Sequence, residues 1–182
     1  MDQKTCVLIG GGATGVLVAL DILKNSSENL QIIIIEPSKE LGRGLAYKAS
    51  QEGDLLNVAA EKMSADSRNP NEFVAWLGLR FDFTEFAYWP FVPRTLYGEY
   101  LQSKISPFIG STVFHLQTKV RSLKKVNRYY TLELDNHPSV RAEFVILCTG
   151  YESEMEESQS IYFDSESQNE KNISHRKRAQ RD

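Results

Sequence analysis

The apolar positions of this chain change period at short intervals. Val7-Leu8-Ile9 is one continuous apolar run, and Ile32-Ile33-Ile34-Ile35, between Gln31 and Glu36, is another. Unbroken apolar runs of this length suit strands covered on both faces. Between them Val16, Leu17, Ala19, Leu20 and Leu23 recur at helical spacing and predict a helix with one apolar stripe. Asn25, Ser26 and Ser27 end that helix, and Pro37 ends the second strand. The three pieces form a strand–helix–strand unit.

After Pro37 no second repeat of that unit follows. A loop-rich stretch contains Gly42-Arg43-Gly44-Leu45-Ala46-Tyr47, and a distinct segment runs from Leu55 to Ser64. Asn71 stands where it would cap a short helix whose apolar positions are Phe73, Val74, Trp76 and Leu77. An aromatic stretch from Phe81 to Phe91 precedes Val92-Pro93-Arg94, and a further helix fits Thr95 to Ile105. Strand signals return at Thr112 to Leu116. Val120 to Val126 and Tyr129 to Leu134 alternate and meet at Asn127-Arg128, as a tight hairpin does. Phe144 to Cys148 is a buried-type strand that ends in Thr149-Gly150. The pattern predicts an α/β domain over residues 1–150: a parallel sheet, a helical insertion and a small antiparallel meander. From Tyr151 the composition turns polar, with a basic end from His175 to Arg181. So little apolar area cannot offset the ordering entropy, and residues 151–182 read as a disordered tail.

The junction between the first strand and the first helix carries the candidate chemistry. Gly10-Gly11-Gly12-Ala13-Thr14-Gly15 has the G-x-G-x-x-G spacing of a dinucleotide-binding turn, with a strand before it and a helix after it. Gly10 permits the tight turn, Gly12 leaves room for phosphates, and Gly15 lets the helix pack closely on the strand. The N–H groups of Ala13 and Thr14 open the helix and face the anion. Glu36 ends the next strand about 20 residues past the last glycine, the position from which a carboxylate accepts hydrogen bonds from a ribose diol. It would repel a 2′-phosphate, so NADP is disfavoured at this turn while FAD and NAD both remain. A glycine turn with no ligand is the competing reading, and the agreement of turn, helix and acidic residue weighs against it.

Composition narrows the remaining classes. With 182 residues and a net charge of −3, the chain fits one domain and shows no bias toward nucleic acid or an anionic membrane. No apolar stretch is long enough for a membrane span and no leader precedes the first strand, so a cytoplasmic location is expected. Cys6 and Cys148 lie in separate apolar strands, at opposite ends if those strands are parallel neighbours. A rise of about 3.3 Å per residue then holds them roughly 10 Å apart, so both are expected to be reduced. His115, His137 and His175 lack ligand spacing, and no metal site is expected.

In their order, these motifs resemble the FAD/NAD(P)-binding domain family found in FAD-dependent urate hydroxylase and L-aspartate N-monooxygenase-like flavoproteins. The matching segments are GGGATG at Gly10 to Gly15, IIIIEP ending at Pro37, GRGLAY at Gly42 to Tyr47 and LLNVAAEKMSA at Leu55 to Ala65. PNEFVAWL at Pro70 to Leu77, FVPRTLYGEYL at Phe91 to Leu101 and VILCTG at Val145 to Gly150 complete the series. The resemblance implies a Rossmann-like FAD-binding domain, with pyrophosphate at Gly10, Gly12, Ala13, Thr14 and Gly15 and ribose at Glu36. It also implies that Arg43, Asn57, Met63 and Ser64 lie near the flavin half, and that Thr149 and Gly150 close over the cofactor.

Core packing is the other reading of Met63, and a turn-forming side chain that of Asn57. Arg94 and Tyr97 are open between facing substrate or flavin and, for Arg94, pairing with Glu99. The implied activity is a monooxygenase-type oxidation of a small polar substrate, with NAD(P)H as electron donor. Relatives of this kind continue past the Thr149-Gly150 turn, and no second G-x-G-x-x-G or catalytic acid–base pair is found here. A C-terminally truncated, inert FAD-binding remnant or interaction module is therefore the alternative. An uncovered sheet edge would then favour self-association.

Overall fold

The computed structural model describes residues 3–26, 29–48, 54–81 and 90–150, together with the backbone of Phe163–Asp164. Eight strands are assigned among them: β1 Lys4–Ile9, β2 Leu30–Ile35, β3 Val113–Leu116, β4 Val120–Val126, β5 Tyr129–Leu134, β6 Val140–Ala142, β7 Phe144–Leu147 and β8 Phe163–Asp164. The helices are α1 Ala13–Asn25, α2 Glu72–Gly78 and α3 Arg94–Ile105.

The strands form two sheets. One is parallel in the order β3-β2-β1-β7; the other has the order β6-β5-β4-β8. In the first, Cys6 to Ile9 sit in register with both Ile32 to Ile35 and Phe144 to Leu147. The unbroken apolar runs follow from coverage on both faces. Cys6, Leu8, Ile32 and Ile34 point into a core shared with Val16 and Ala19 of α1 and Tyr100 and Leu101 of α3. Their neighbours Val7, Ile9 and Ile35 point the other way, into a second core with Leu123, Leu132, Leu134 and Ala142 of the meander. Helices and meander thus sandwich the parallel sheet.

The hairpin between β4 and β5 turns at Asn127, whose left-handed φ of 57° an asparagine tolerates well. Segment 54–60 is laced to segment 90–94 by the amides of Leu56, Ala60 and Arg94, which donate to Val92, Pro90 and Asp54. β7 forms an edge of the parallel sheet among the described residues, with Phe144 and Leu147 about half exposed.

Several expectations need correction. Asn71 occupies the cap position of α2, but its side chain makes no capping hydrogen bond; its carbonyl accepts from Ala75 instead. Arg94 does not pair with Glu99. Its Nε donates to the Leu55 carbonyl at 2.9 Å, while Glu99 pairs with Arg80. Tyr97 is a core residue, 4% exposed, with its ring 4.9 Å from Tyr47 and 5.2 Å from Phe73. Burial pushes its phenol up to about 12. β8, a short parallel addition to β4, was not expected. The rest of the expected disordered tail, and residues 82–89 of the aromatic stretch, lie outside the described residues.

Both cysteines are buried free thiols. Because Cys6 opposes Phe144, Cys148 lies about 13 Å further along the sheet at 3.3 Å per residue, too far for a disulfide.

Candidate dinucleotide site

The site is assembled where β1, β2 and β7 end together. The Gly10 amide donates to the Ile35 carbonyl at 2.9 Å, and the Cys148 amide donates to the Ile9 carbonyl at 2.7 Å. Gly10 has φ +102°, and a Cβ there would sit 2.4 Å from the Cys148 carbonyl oxygen. This position requires glycine twice over, for its backbone angle and for the passing strand. At Gly15 a Cβ would fall 2.0 Å from the Gly10 carbonyl oxygen, so the helix meets the turn backbone to backbone.

Gly12 is the residue that opens α1. Its carbonyl accepts from Val16 at 3.0 Å, no side chain caps the helix, and no acidic residue stands in the first turn. The first-turn amides of an α-helix have no partner within the helix. Here those of Ala13 and Thr14 follow a turn without side chains, at the positive end of the helix dipole. That combination fits an anion, and a pyrophosphate in particular.

Glu36 reaches the same place. Its Oε2 accepts from the Gly11 amide at 2.9 Å and its Oε1 from the Ser38 amide at 2.9 Å. A carboxylate offers about four acceptor positions, so two backbone bonds orient it and leave capacity for a ribose hydroxyl. His115 of β3 braces this corner, with Nε2 2.9 Å from the Glu36 carbonyl oxygen.

The loop after β2 folds back over the turn. The Gly42 amide donates to the Gly11 carbonyl at 2.8 Å, and a Cβ on Gly12 would lie 3.3 Å from the Gly44 Cα. The space left by the missing side chain of Gly12 is therefore bordered by Gly44. Arg43 is held with its Nε 2.9 Å from a Glu40 carboxylate oxygen. That nitrogen is buried and lacks the alignment of a hydrogen bond.

Gly10 to Gly15, Glu36, Gly42 to Gly44 and the Cys148–Thr149 bond thus form one neighbourhood. Met63 and Ser64 are held by other contacts. Asn57 is exposed, Met63 packs on the helix-side core, and Ser64 donates to the Asn69 carbonyl at 2.6 Å. Thr149 and Gly150 are exposed at the end of β7, Gly150 with φ +71°. Gly11 was missed as a site residue. A Cβ there would strike Leu41 Cδ2 at 2.4 Å and Glu36 Cβ at 2.7 Å. Its place as the middle of three consecutive glycines was the available signal, obscured because the x of G-x-G is free in the motif.

A cleft of about 1350 Å³ lies elsewhere, on the outer side of α1 between Leu17, Asp21, Asp66 and Lys104. Its size does not make it the site, because it lacks the free helix terminus and glycine turn. No group of acidic, histidine or cysteine side chains suited to a metal occurs among the described residues.

A side-chain-free turn at an uncapped helix terminus, joined to a strand-ending carboxylate, defines a dinucleotide-binding α/β domain. Residues 7–152 match the FAD-NAD(P)-binding family, and the chain belongs to it. No curated protein matches the chain. Among solved structures it is similar to OTEMO in complex with FAD and NADP, at 21% identity and TM-score 0.55, over 81% of this chain and 26% of that one. A cyclohexanone monooxygenase from Rhodococcus sp. Phi1 bound to NADP+ aligns at 18% identity and TM-score 0.57, over 80% of this chain and 25% of that one. A flavin-containing monooxygenase from Stenotrophomonas maltophilia aligns at 18% identity and TM-score 0.55, over 82% of this chain and 39% of that one. The chain therefore spans well under half the length of each of these proteins.

Proposed function

We propose that this chain holds FAD by its adenosine diphosphate half, as the FAD-binding part of a flavin-dependent monooxygenase. The observation that carries the reading is the uncapped start of α1 behind Gly10 to Gly12, with the Glu36 carboxylate fixed beside it. The amides of Ala13 and Thr14 donate to the pyrophosphate, and Glu36 accepts from the ribose diol. Arg43 supplies positive charge at the edge of the turn. Asn57, Met63 and Ser64 border the flavin half, and Thr149 and Gly150 close the site at the end of β7. Held there, FAD would supply the redox chemistry that carries electrons from NAD(P)H to oxygen.

The substrate class we infer is a small polar molecule, in the manner of urate hydroxylase and L-aspartate N-monooxygenase-like flavoproteins. The order of the GRGLAY, LLNVAAEKMSA and FVPRTLYGEYL segments supports the family resemblance from which that class is taken. A second reading is an FAD-binding module without turnover.

The visible spectrum of the purified chain tests the proposal. Flavin bands near one FAD per chain are expected, and their loss on Gly12→Val. A chain that stays colourless after incubation with FAD overturns the reading. Unchanged flavin content in Gly12→Val places the cofactor elsewhere. NADPH consumption by the flavin-loaded chain then separates enzyme from binding module.

A further inference from the structure

Gly98 lies in the middle of α3, where glycine is disfavoured relative to alanine. It is buried, and its lack of a side chain has a local cause. A Cβ there would sit 2.9 Å from Arg43 Cγ, 3.0 Å from the Tyr47 carbonyl oxygen and 3.2 Å from Tyr47 Cβ. The loop from Gly42 to Tyr47 crosses α3 at Gly98, where the helix presents only backbone.

The same loop touches the glycine turn at its other side, through the Gly42 amide on the Gly11 carbonyl and Gly44 against Gly12. Gly42 is pinched as well. It has φ +88°, and a Cβ there would meet Leu101 Cβ at 2.9 Å and the Gln102 nitrogen at 3.1 Å. One continuous set of contacts therefore runs from α3 through the loop to the phosphate cradle.

We infer that Gly98 is a positioning residue for the dinucleotide site: it sets how deeply the Gly42–Tyr47 loop seats on α3, and so where Gly44 and Arg43 stand beside Gly12. The inference uses the FAD reading above for its ligand, while the contacts stand without it. An alanine at 98 forces the loop outward, because the Tyr47 carbonyl is backbone and cannot rotate aside as the Arg43 stem can. The helix itself gains from that substitution, so loosening is confined to the loop.

The test is amide hydrogen exchange on the cofactor-free protein, paired with FAD titration. Gly98→Ala is expected to speed exchange in residues 42–47 at least tenfold, with exchange in β4 and β5 unchanged. It is expected to weaken FAD binding at least tenfold. Tyr47→Ala, which removes the ring resting on Tyr97, is expected to loosen the same loop and carries the test if Gly98→Ala does not fold. Unchanged exchange in residues 42–47 in the folded variants overturns the inference, whatever the FAD result. A wild-type chain that binds no FAD overturns the proposed function instead, and the exchange data still decide the positioning.

Discussion

The amide of Gly11 donates to the Glu36 carboxylate at 2.9 Å, joining the glycine turn directly to the end of the neighbouring strand. Two residues on different elements of the candidate site are thus one structural unit. A ligand that pulls on the carboxylate also acts on the turn.

Glu36→Ala removes the carboxylate oxygens that accept from the Gly11 and Ser38 amides, and with them the proposed ribose contact. It is expected to cost about 1.5 kcal/mol of stability, in the range of hydrogen bonds to charged groups. FAD affinity is expected to fall about tenfold, equivalent to about 1.4 kcal/mol. Glu36→Gln keeps one oxygen and should lose less of both. Urea melts and flavin fluorescence titrations of the two variants check the order.

Gly15→Ala is expected to be worse than Gly12→Ala. The first places a methyl 2.0 Å from the Gly10 carbonyl oxygen, the second 3.3 Å from Gly44. Overpacking against backbone costs about 3 kcal/mol or more where nothing can rotate away. Thermal melts of the two alanine variants, measured without cofactor, test the ranking.

Tyr100 is fully buried, donates to Glu72 at 2.5 Å and accepts from the Ala65 amide at 3.0 Å. Tyr100→Phe keeps the ring packing against Phe73 and Trp76 but leaves that amide and carboxylate short of a partner. A loss of about 1–3 kcal/mol is expected. Chemical denaturation measures it, and faster hydrogen exchange at Ala65 would tie the loss to this bond.

Burial raises the Cys6 thiol from 9.0 to about 11 and the Tyr97 phenol from 10.0 to about 12. Above pH 9 the unfolded chain releases these protons before the folded one does. Their contribution to stability is full below pH 9 and falls as pH rises toward 12. Denaturation midpoints across pH 8 to 12 should show this decline. Cys6→Ala should flatten the pH 9 to 11 portion and Tyr97→Phe the pH 10 to 12 portion.

What the chain determined by itself is local. Unbroken apolar runs marked β1 and β2, helical spacing marked α1, and the spacing of Gly10, Gly12, Gly15 and Glu36 marked the candidate site, because each signal lies within a few turns of backbone. The hairpin at Asn127-Arg128 was legible for the same reason. Tertiary structure decided the rest. Only the parallel register brings Cys148 against Gly10, and only the return of the loop brings Gly44 against Gly12 and Arg43 against Gly98. Asn71 in place without capping, and Arg94 bonded to Leu55 rather than to Glu99, have the same origin. A side chain with several partners near in sequence takes the one that packing presents, and packing depends on residues dozens of positions away.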